Sequence, residues 1–314
     1  MQEKNNMTST KDKEKEIYNM ENYWELKKQM ANEETQKVVN DFLLSLKLAN
    51  RSEGTIRMYR RFLEQFFATL KESFSSLSSD AIHKWYREHQ GHVNERTLRN
   101  RISILSSFYT FCVQEEHLER TPIKSRWSPR LPKTIPKYLE KEEIAKIHQQ
   151  SEKSSLRNQV LLIFMLTSGC RVGEVQRLNL KDLNLENRTA NIVGKGKKVR
   201  QVHFTDKCGI LLERYIESRN EISSPALFIS SKTKERLTIS QIYRVIIAIG
   251  KDAGLNKSLH PHRLRHTFAT ELLAKGAELS FIGDELGHND IATTQIYARL
   301  PKREIIAQYR KFMG

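Results

Sequence analysis

TPIKSRWSPRLPKTIP, residues 121–136, is the stretch from which the organisation of the chain is read. Four of the seven prolines, Pro122, Pro129, Pro132 and Pro136, fall inside it. Proline has no N–H and fixes φ, so the stretch reads as an extended connector between two lobes. Upstream, residues 31–121 read as helices. From Thr97 to Cys112, the residues Leu98, Ile102, Leu105, Phe108 and Cys112 recur at three- and four-residue spacing and draw one apolar stripe. A second helix, Gly54 to Leu70, is expected to bury Ile56, Tyr59, Leu63 and Phe66 or Phe67. Downstream the pattern becomes mixed. Helices are expected at 141–151, 156–168, 172–180, 207–219, 239–253, 262–275, 278–286 and 291–298. Between them Arg188 to Phe204 (RTANIVGKGKKVRQVHF) reads as two short strands joined by a turn, with Gly194 and Gly196 as its flexible positions.

A length of 314 residues, at roughly 100–200 residues per domain, agrees with two domains. Hydrophobic residues at 38% against 29% charged residues exclude a disordered chain. The longest strongly apolar run, Val160 to Leu166, is far short of the ~20 residues a membrane span needs. The N-terminal MQEKNNMTSTKDKEKE lacks the apolar core of a secretory signal. The three cysteines (Cys112, Cys170, Cys208) are odd in number and widely spaced, arguing against a disulfide framework or zinc site and for a reducing, cytoplasmic setting. The polar leader, residues 1–30, is expected to be mobile or a single loose helix.

Charge is unevenly placed. The formal net charge is +16, of which residues 122–314 carry +15 and residues 1–121 only +1. A positive field of this size favours a polyanionic partner, with nucleic acid first among them. In the near-neutral first lobe, Arg57, Arg60 and Arg61 are expected to face outward on one helix and Arg96, Arg99 and Arg101 on another. These faces read equally as solvated surface or as helices laid on DNA. Lys124, Arg126, Arg130 and Lys133 make the connector basic enough to cross a phosphate backbone.

Several common catalytic signatures are missing. The GKG of the hairpin is not followed by Ser or Thr, so it is no phosphate-binding P-loop, and there is no HExxH, no GxSxG and no carboxylate cluster suited to two metals. What stands out is a spread of cations and imidazoles followed by a tyrosine. Arg171 lies in TSGCRVGEV, with Glu174 one turn on and placed to orient its guanidinium; Lys195 lies at the hairpin tip; His262, Arg265 and His266 occur in HPHRLRH; His288 ends a helix in ELGHND; Tyr297 follows in TTQIYAR.

In this order the set resembles the tyrosine site-specific recombinases, the phage-type integrases and Xer recombinases. The resemblance covers about 137–300, and 31–121 is similar to the family's helical core-binding domain. It implies a mainly α fold with a small β component: a SAM-like helical domain plus an α+β catalytic domain. It implies the layout 1–30 leader, 31–121 core-binding domain, 122–136 basic linker, 137–300 catalytic domain and 301–314 a C-terminal helix. It also implies that Arg171, Lys195, His262, Arg265, His288 and Tyr297 are the six active-site positions, with His266 supporting. The expected partner is a double-stranded DNA recombination site, clamped between the lobes by a protein that is a monomer when free and a tetramer in the synapse. Accessory proteins are possible, and neither metal nor cofactor is required.

The chemistry fits these roles. A phenol of ordinary pKa about 10 is a poor nucleophile unless assisted by a base or by cations. Two arginines suit a phosphorane clamp because each fork presents permanently charged, paired donors. Arg171 and Arg265 are thus assigned to the non-bridging oxygens, with His288 adding a donor. Lys195 is assigned as general acid for the departing 5′-oxygen, His262 as acceptor of the phenolic proton and Tyr297 as nucleophile. A tyrosine-dependent topoisomerase, or a DNA-binding protein that keeps the fold without catalysis, are the alternative readings. The tail PKREIIAQYRKFMG carries Ile305, Ile306, Tyr309 and Phe312 at helical spacing, and packs either on its own domain or on a neighbouring protomer. A Xer-like or simple mobile-element role is favoured, with dimer resolution and element integration both open.

Overall fold

A computed structural model describes residues 22–70, 72–89, 93–131, 137–194, 198–219 and 223–287. The chain folds as two units, 1–133 and 134–314. The expected fold class, mainly helical with a small β component, is what is found.

Among the described residues, unit one is built on four helices, α1 (Glu33–Leu48), α2 (Glu53–Thr69), α3 (Ser79–His89) and α4 (Glu95–Gln114). Short polar side chains start three of them: Asn32, Ser52 and Asn94 each accept the backbone N–H three residues on, satisfying donors that a first helical turn leaves unpaired. The α4 stripe buries Ile102, Leu105, Phe108 and Cys112 as expected, together with Ile104 and Tyr109. Aromatic edges fill the centre, with Phe108 against Phe42, Phe67 and Phe74 at ring separations of 5.5–6.0 Å.

Three expectations about this unit are corrected. First, Arg60 does not face outward. It is buried, and its Nη1 donates to the carbonyls of Tyr23 and Glu25 at 2.9 and 3.2 Å. The reason is helical phase: Arg60 shares the stripe of Ile56, Leu63 and Phe67, while Tyr59 is only half-buried. Second, the end of the leader is not a loose helix. Residues 22–30 pack on the unit, Met30 is buried, and the backbone N–H groups of Leu26, Lys27 and Met30 donate to Asn40, Glu64 and Gln36. Residues 1–21 lie outside the described residues. Third, the start of the connector is not extended, because Ile123 and Trp127 anchor it to the unit-one core, with a 3-10 turn at Ser125–Trp127 and Trp127 stacked on His83 at 5.6 Å.

Unit two is centred on α6 (Leu156–Ser168), whose Val160–Leu166 run is entirely buried, as a helix apolar on all sides must be. Around it lie α5 (Lys141–Glu152), α7 (Val172–Arg177), α8 (Asp206–Glu217), α9 (Ile239–Asp252), α10 (Pro261–Ala274) and α11 (Leu279–Leu286). Among the described residues it also holds three antiparallel strands, β1 (Leu183–Asn184), β2 (Thr189–Val193) and β3 (Val199–His203). The β2–β3 register runs from Thr189 opposite His203 to Val193 opposite Val199, and places Ala190, Ile192 and Val202 in the core. Two details were not read from the sequence. The strand β1 is one. The other is that α7 stops at Arg177, where the expected helix ran to 180. Beyond it the chain pairs with the segment after Pro225: Leu180 N–H donates to the Pro225 carbonyl and Leu227 N–H to that of Leu178. The expected helix at 291–298 and the tail 301–314 lie outside the described residues.

Candidate active site

Helix ends build the site. Helix α6 terminates at Gly169 with φ +61°, and α11 terminates at Gly287 with φ +61°. Each ending leaves backbone carbonyls without intrahelical partners, acceptors at the negative end of a helix dipole that favour cations. Arginines from elsewhere in the chain take them. Arg265, buried in the middle of α10, donates from Nη1 to the Gly169 carbonyl and from Nη2 to the Leu286 carbonyl, both at 2.7 Å. Arg171, the residue preceding α7, donates from Nη1 to the same Leu286 carbonyl at 3.3 Å and from Nη2 to Gly287 at 3.4 Å. Two guanidinium groups from distant parts of the sequence therefore meet at one carbonyl oxygen. Arg171 keeps 37% of its side chain exposed, so the pair opens outward on its side.

Glu174 anchors this arrangement. Its carboxylate is only 3% exposed and accepts from Arg171 Nη1 at 3.0 Å and from the Arg171 backbone N–H at 2.8 Å. It also takes a two-pronged pair from Arg200 on β3, Nη1 at 3.0 Å and Nη2 at 2.9 Å. Burial alone would raise this carboxyl's pKa, but the bonds from Arg200 and Arg171 outweigh burial and hold it below the usual value. Arg200 was not singled out in the sequence. Its signal there is weak, one basic residue among several in KGKKVR, and only the tertiary contact shows that it pairs with Glu174.

His262 stands in the first turn of α10. Desolvation first, then the charges of Arg265 and Arg171, lower its pKa below the usual histidine range, so it is neutral near pH 7 and able to accept a proton. His266, one turn on, is lowered to about 4 by burial, by His262 and by Arg265. The helix itself is fixed by Pro261 at its first position and by Arg263, which donates to Glu143 at 2.5 Å and to the Tyr138 carbonyl.

Of the eight catalytic and supporting residues read from the sequence, the structure brings together Arg171, Glu174, His262, Arg265 and His266. Lys195, His288 and Tyr297 lie outside the described residues. Arg200 packs against Gly287, the last described residue before His288, and against Gly194, the last before Lys195. Among the described residues there is no cluster of His, Cys, Asp or Glu able to hold a metal ion. None of the described helices is long and apolar enough to cross a membrane.

The candidate DNA-contacting residues divide by exposure. Arg61, Arg96, Arg99, Lys124, Arg126 and Arg130 are exposed, and Lys133 lies outside the described residues. Arg57 is tied to Glu53 one turn earlier, and Arg101 lies 5.6 Å from the Phe62 ring centre. Arg60 is withdrawn from this set by its burial. In unit two, Arg219 and Arg236 are committed to backbone carbonyls, so the net charge overstates the cations offered to a partner.

Residues 137–304 match the Phage integrase family and residues 39–116 match the phage integrase N-terminal SAM-like domain. The tyrosine recombinase XerA of Pyrococcus furiosus is 31% identical over 272 residues, covering 86% of this chain and 91% of that protein. The tyrosine recombinase XerD of Staphylococcus epidermidis RP62A is 31% identical over 274 residues, covering 83% and 92%. Among solved structures, the crystal structure of XerA recombinase aligns with a TM-score of 0.53 at 28% identity over 90% of this chain and 99% of that one. The XerH site-specific recombinase bound to palindromic difH substrate, a post-cleavage complex, aligns with a TM-score of 0.68 at 22% identity over 91% and 90%, a likeness of fold. With a match across more than half its length and relatives matched nearly end to end, the chain belongs to the phage integrase family and is a tyrosine recombinase of the Xer type.

Proposed function

We propose that this protein cuts and rejoins DNA at a specific double-stranded site through a covalent 3′-phosphotyrosyl intermediate. The observation that carries the reading is the meeting of Arg171 and Arg265 at the Leu286 carbonyl, with His262 one turn before Arg265 on the same helix. In the forward step the Tyr297 oxygen bonds to phosphorus as the bond to the 5′-oxygen breaks. The phenolic proton passes to His262, and Lys195 protonates the departing oxygen. Arg171, Arg265 and His288 stabilise the charge that builds on the non-bridging oxygens. A phosphodiester is exchanged for a phosphodiester, so a 5′-hydroxyl from another strand reverses the step without an external energy source.

Relatives named as tyrosine recombinases and structural neighbours solved with DNA support duplex DNA as the substrate. Exposed Arg61, Arg96, Arg99, Lys124, Arg126 and Arg130 supply phosphate contacts from unit one. Strand exchange takes place in a tetramer, in which the segment 301–314 docks on a neighbouring protomer. An apolar pocket between β3, α10 and α11, lined by Phe204, Phe268, Leu272 and Phe281, supports that docking. Phe281 leaves 48% of its surface exposed there.

The test is a pool of nicked duplexes with randomised cores, incubated with the protein, quenched in SDS and sequenced from the protein-linked fraction. Wild type is expected to trap a discrete family of sequences and Tyr297→Phe none. A wild type that traps nothing, or a Tyr297→Phe protein that traps as much, overturns the mechanism.

A further inference from the structure

We propose that Arg200 is a positioning residue for strand cleavage: it saturates the Glu174 carboxylate so that Arg171 commits only one guanidinium N–H to it and stays aimed at the scissile phosphate. The proposal rests on the recombinase reading above for what Arg171 does, but not for how Arg171 is held. A carboxylate offers about four acceptor positions. On Glu174 four bonds are present: the Arg171 backbone N–H and one Arg171 guanidinium N–H, and both prongs of Arg200. Without Arg200, two acceptor positions open on a buried anion. The nearest charged fork is that of Arg171, and a two-pronged Arg171–Glu174 pair would draw it away from the Leu286 and Gly287 carbonyls.

Arg200 does a second thing from the same position. Its Nε donates to the Glu285 carbonyl at 3.2 Å, and its side chain lies so close to Gly287 that a Cβ there would meet Nη1 at 2.8 Å. On the other side, a Cβ on Gly194 would stand 3.4 Å from the same Nη1. One guanidinium therefore ties together the start of α7, the end of α11 and the hairpin of β2 and β3. These are the three segments that carry or directly precede Arg171, His288 and Lys195. Burial opposes the charge of Arg200, but Glu174 reverses that and raises its pKa above the usual arginine value, so it is a permanent cation there. Lysine cannot substitute: a single ammonium provides charge without the planar fork, and cannot reach both carboxylate oxygens and the Glu285 carbonyl together.

The experiment compares wild type, Arg200→Lys, Glu174→Gln and the double variant Arg200→Lys/Glu174→Gln, each checked for folding by its thermal midpoint. Phenylglyoxal labelling of Arg171, read by peptide mass spectrometry, needs no DNA. It is expected to fall severalfold in Arg200→Lys as Arg171 turns onto Glu174, and to recover in the double variant. With a nicked duplex recovered by the selection above, Arg200→Lys is expected to form the covalent adduct about 10–100-fold more slowly while its DNA affinity stays near that of wild type. The two substitutions should combine with far less than the product of their separate effects, as expected of residues acting on one another. Unchanged labelling, a wild-type cleavage rate in Arg200→Lys, equal losses in affinity and rate, or independent effects in the double variant would each overturn the proposal. If wild type forms no adduct while the labelling shifts as expected, the recombinase mechanism fails and takes the role in cleavage with it, while the holding of Arg171 by Arg200 stands.

Discussion

Gly169→Ala perturbs the point at which fold and site are the same atoms. Gly169 ends α6 in the left-handed region, φ +61°, and its carbonyl receives Arg265 Nη1 at 2.7 Å. An alanine there bears two costs. Holding a residue with a Cβ in the left-handed region costs roughly 1–2 kcal/mol. The added Cβ would stand 2.3 Å from Phe268 Cδ1 and 2.7 Å from Cε1, so the ring must move, an overpacking cost of about 1–3 kcal/mol. The total, about 2–5 kcal/mol, falls on unit two alone. With a urea m-value of about 2 kcal/mol per molar, the midpoint of that unit should drop by about 1–2.5 M. All three tryptophans, Trp24, Trp85 and Trp127, lie in unit one, so their fluorescence transition is expected to stay put while the far-UV circular dichroism transition of unit two moves. Gly169→Ala/Phe268→Ala separates the two costs, because removing the ring relieves the contact and leaves φ unchanged. A unit-two stability within about 0.5 kcal/mol of wild type, the scatter of a neutral surface change, would refute the reasoning.

Two further outcomes follow from the same structure. Arg60→Ala should destabilise unit one by about 2–4 kcal/mol through the lost carbonyl bonds, whereas Arg99→Ala should leave stability within about 0.5 kcal/mol and lower the salt slope of DNA binding by about one. Urea melts by fluorescence and salt titrations by anisotropy check this, and a stable Arg60→Ala protein would count against its structural role. His266, lowered to about 4 from an ordinary histidine value of about 6.5, binds its proton more readily in the unfolded chain. Its contribution is therefore present above about pH 6.5 and lost as the pH falls towards 4, and His266→Gln should flatten the acid loss of unit-two stability in that window. An acid limb as steep in the variant as in wild type would rule this out.

How far the site could be read from the sequence follows from what each residue depends on. Arg171 and Glu174 are one helical turn apart, so their pairing is a local consequence of a helix starting at Val172. The α4 stripe and the two strands joined by a turn within Arg188 to Phe204 are likewise local readings, and both are found. Arg60 misled because Tyr59 and Arg60 are nearly equivalent in a periodic pattern, and the choice fell to the carbonyls of Tyr23 and Glu25, far away in the chain. Arg200 was illegible for the same reason. Its partners Glu174, Glu285 and Gly287 come from two other segments.

Residue types and their order determined the two helical and mixed lobes, the chemistry of a cationic site and the family to which the chain belongs. Periodicity and short-range capping are encoded within a turn or two of helix, and the order of reactive groups is encoded directly. Only the tertiary structure decided which arginines are buried and tied to backbone carbonyls and which remain exposed. That depends on where helices end and which carbonyls they leave unpaired, and unpaired carbonyls become visible only once α6, α10 and α11 pack against one another.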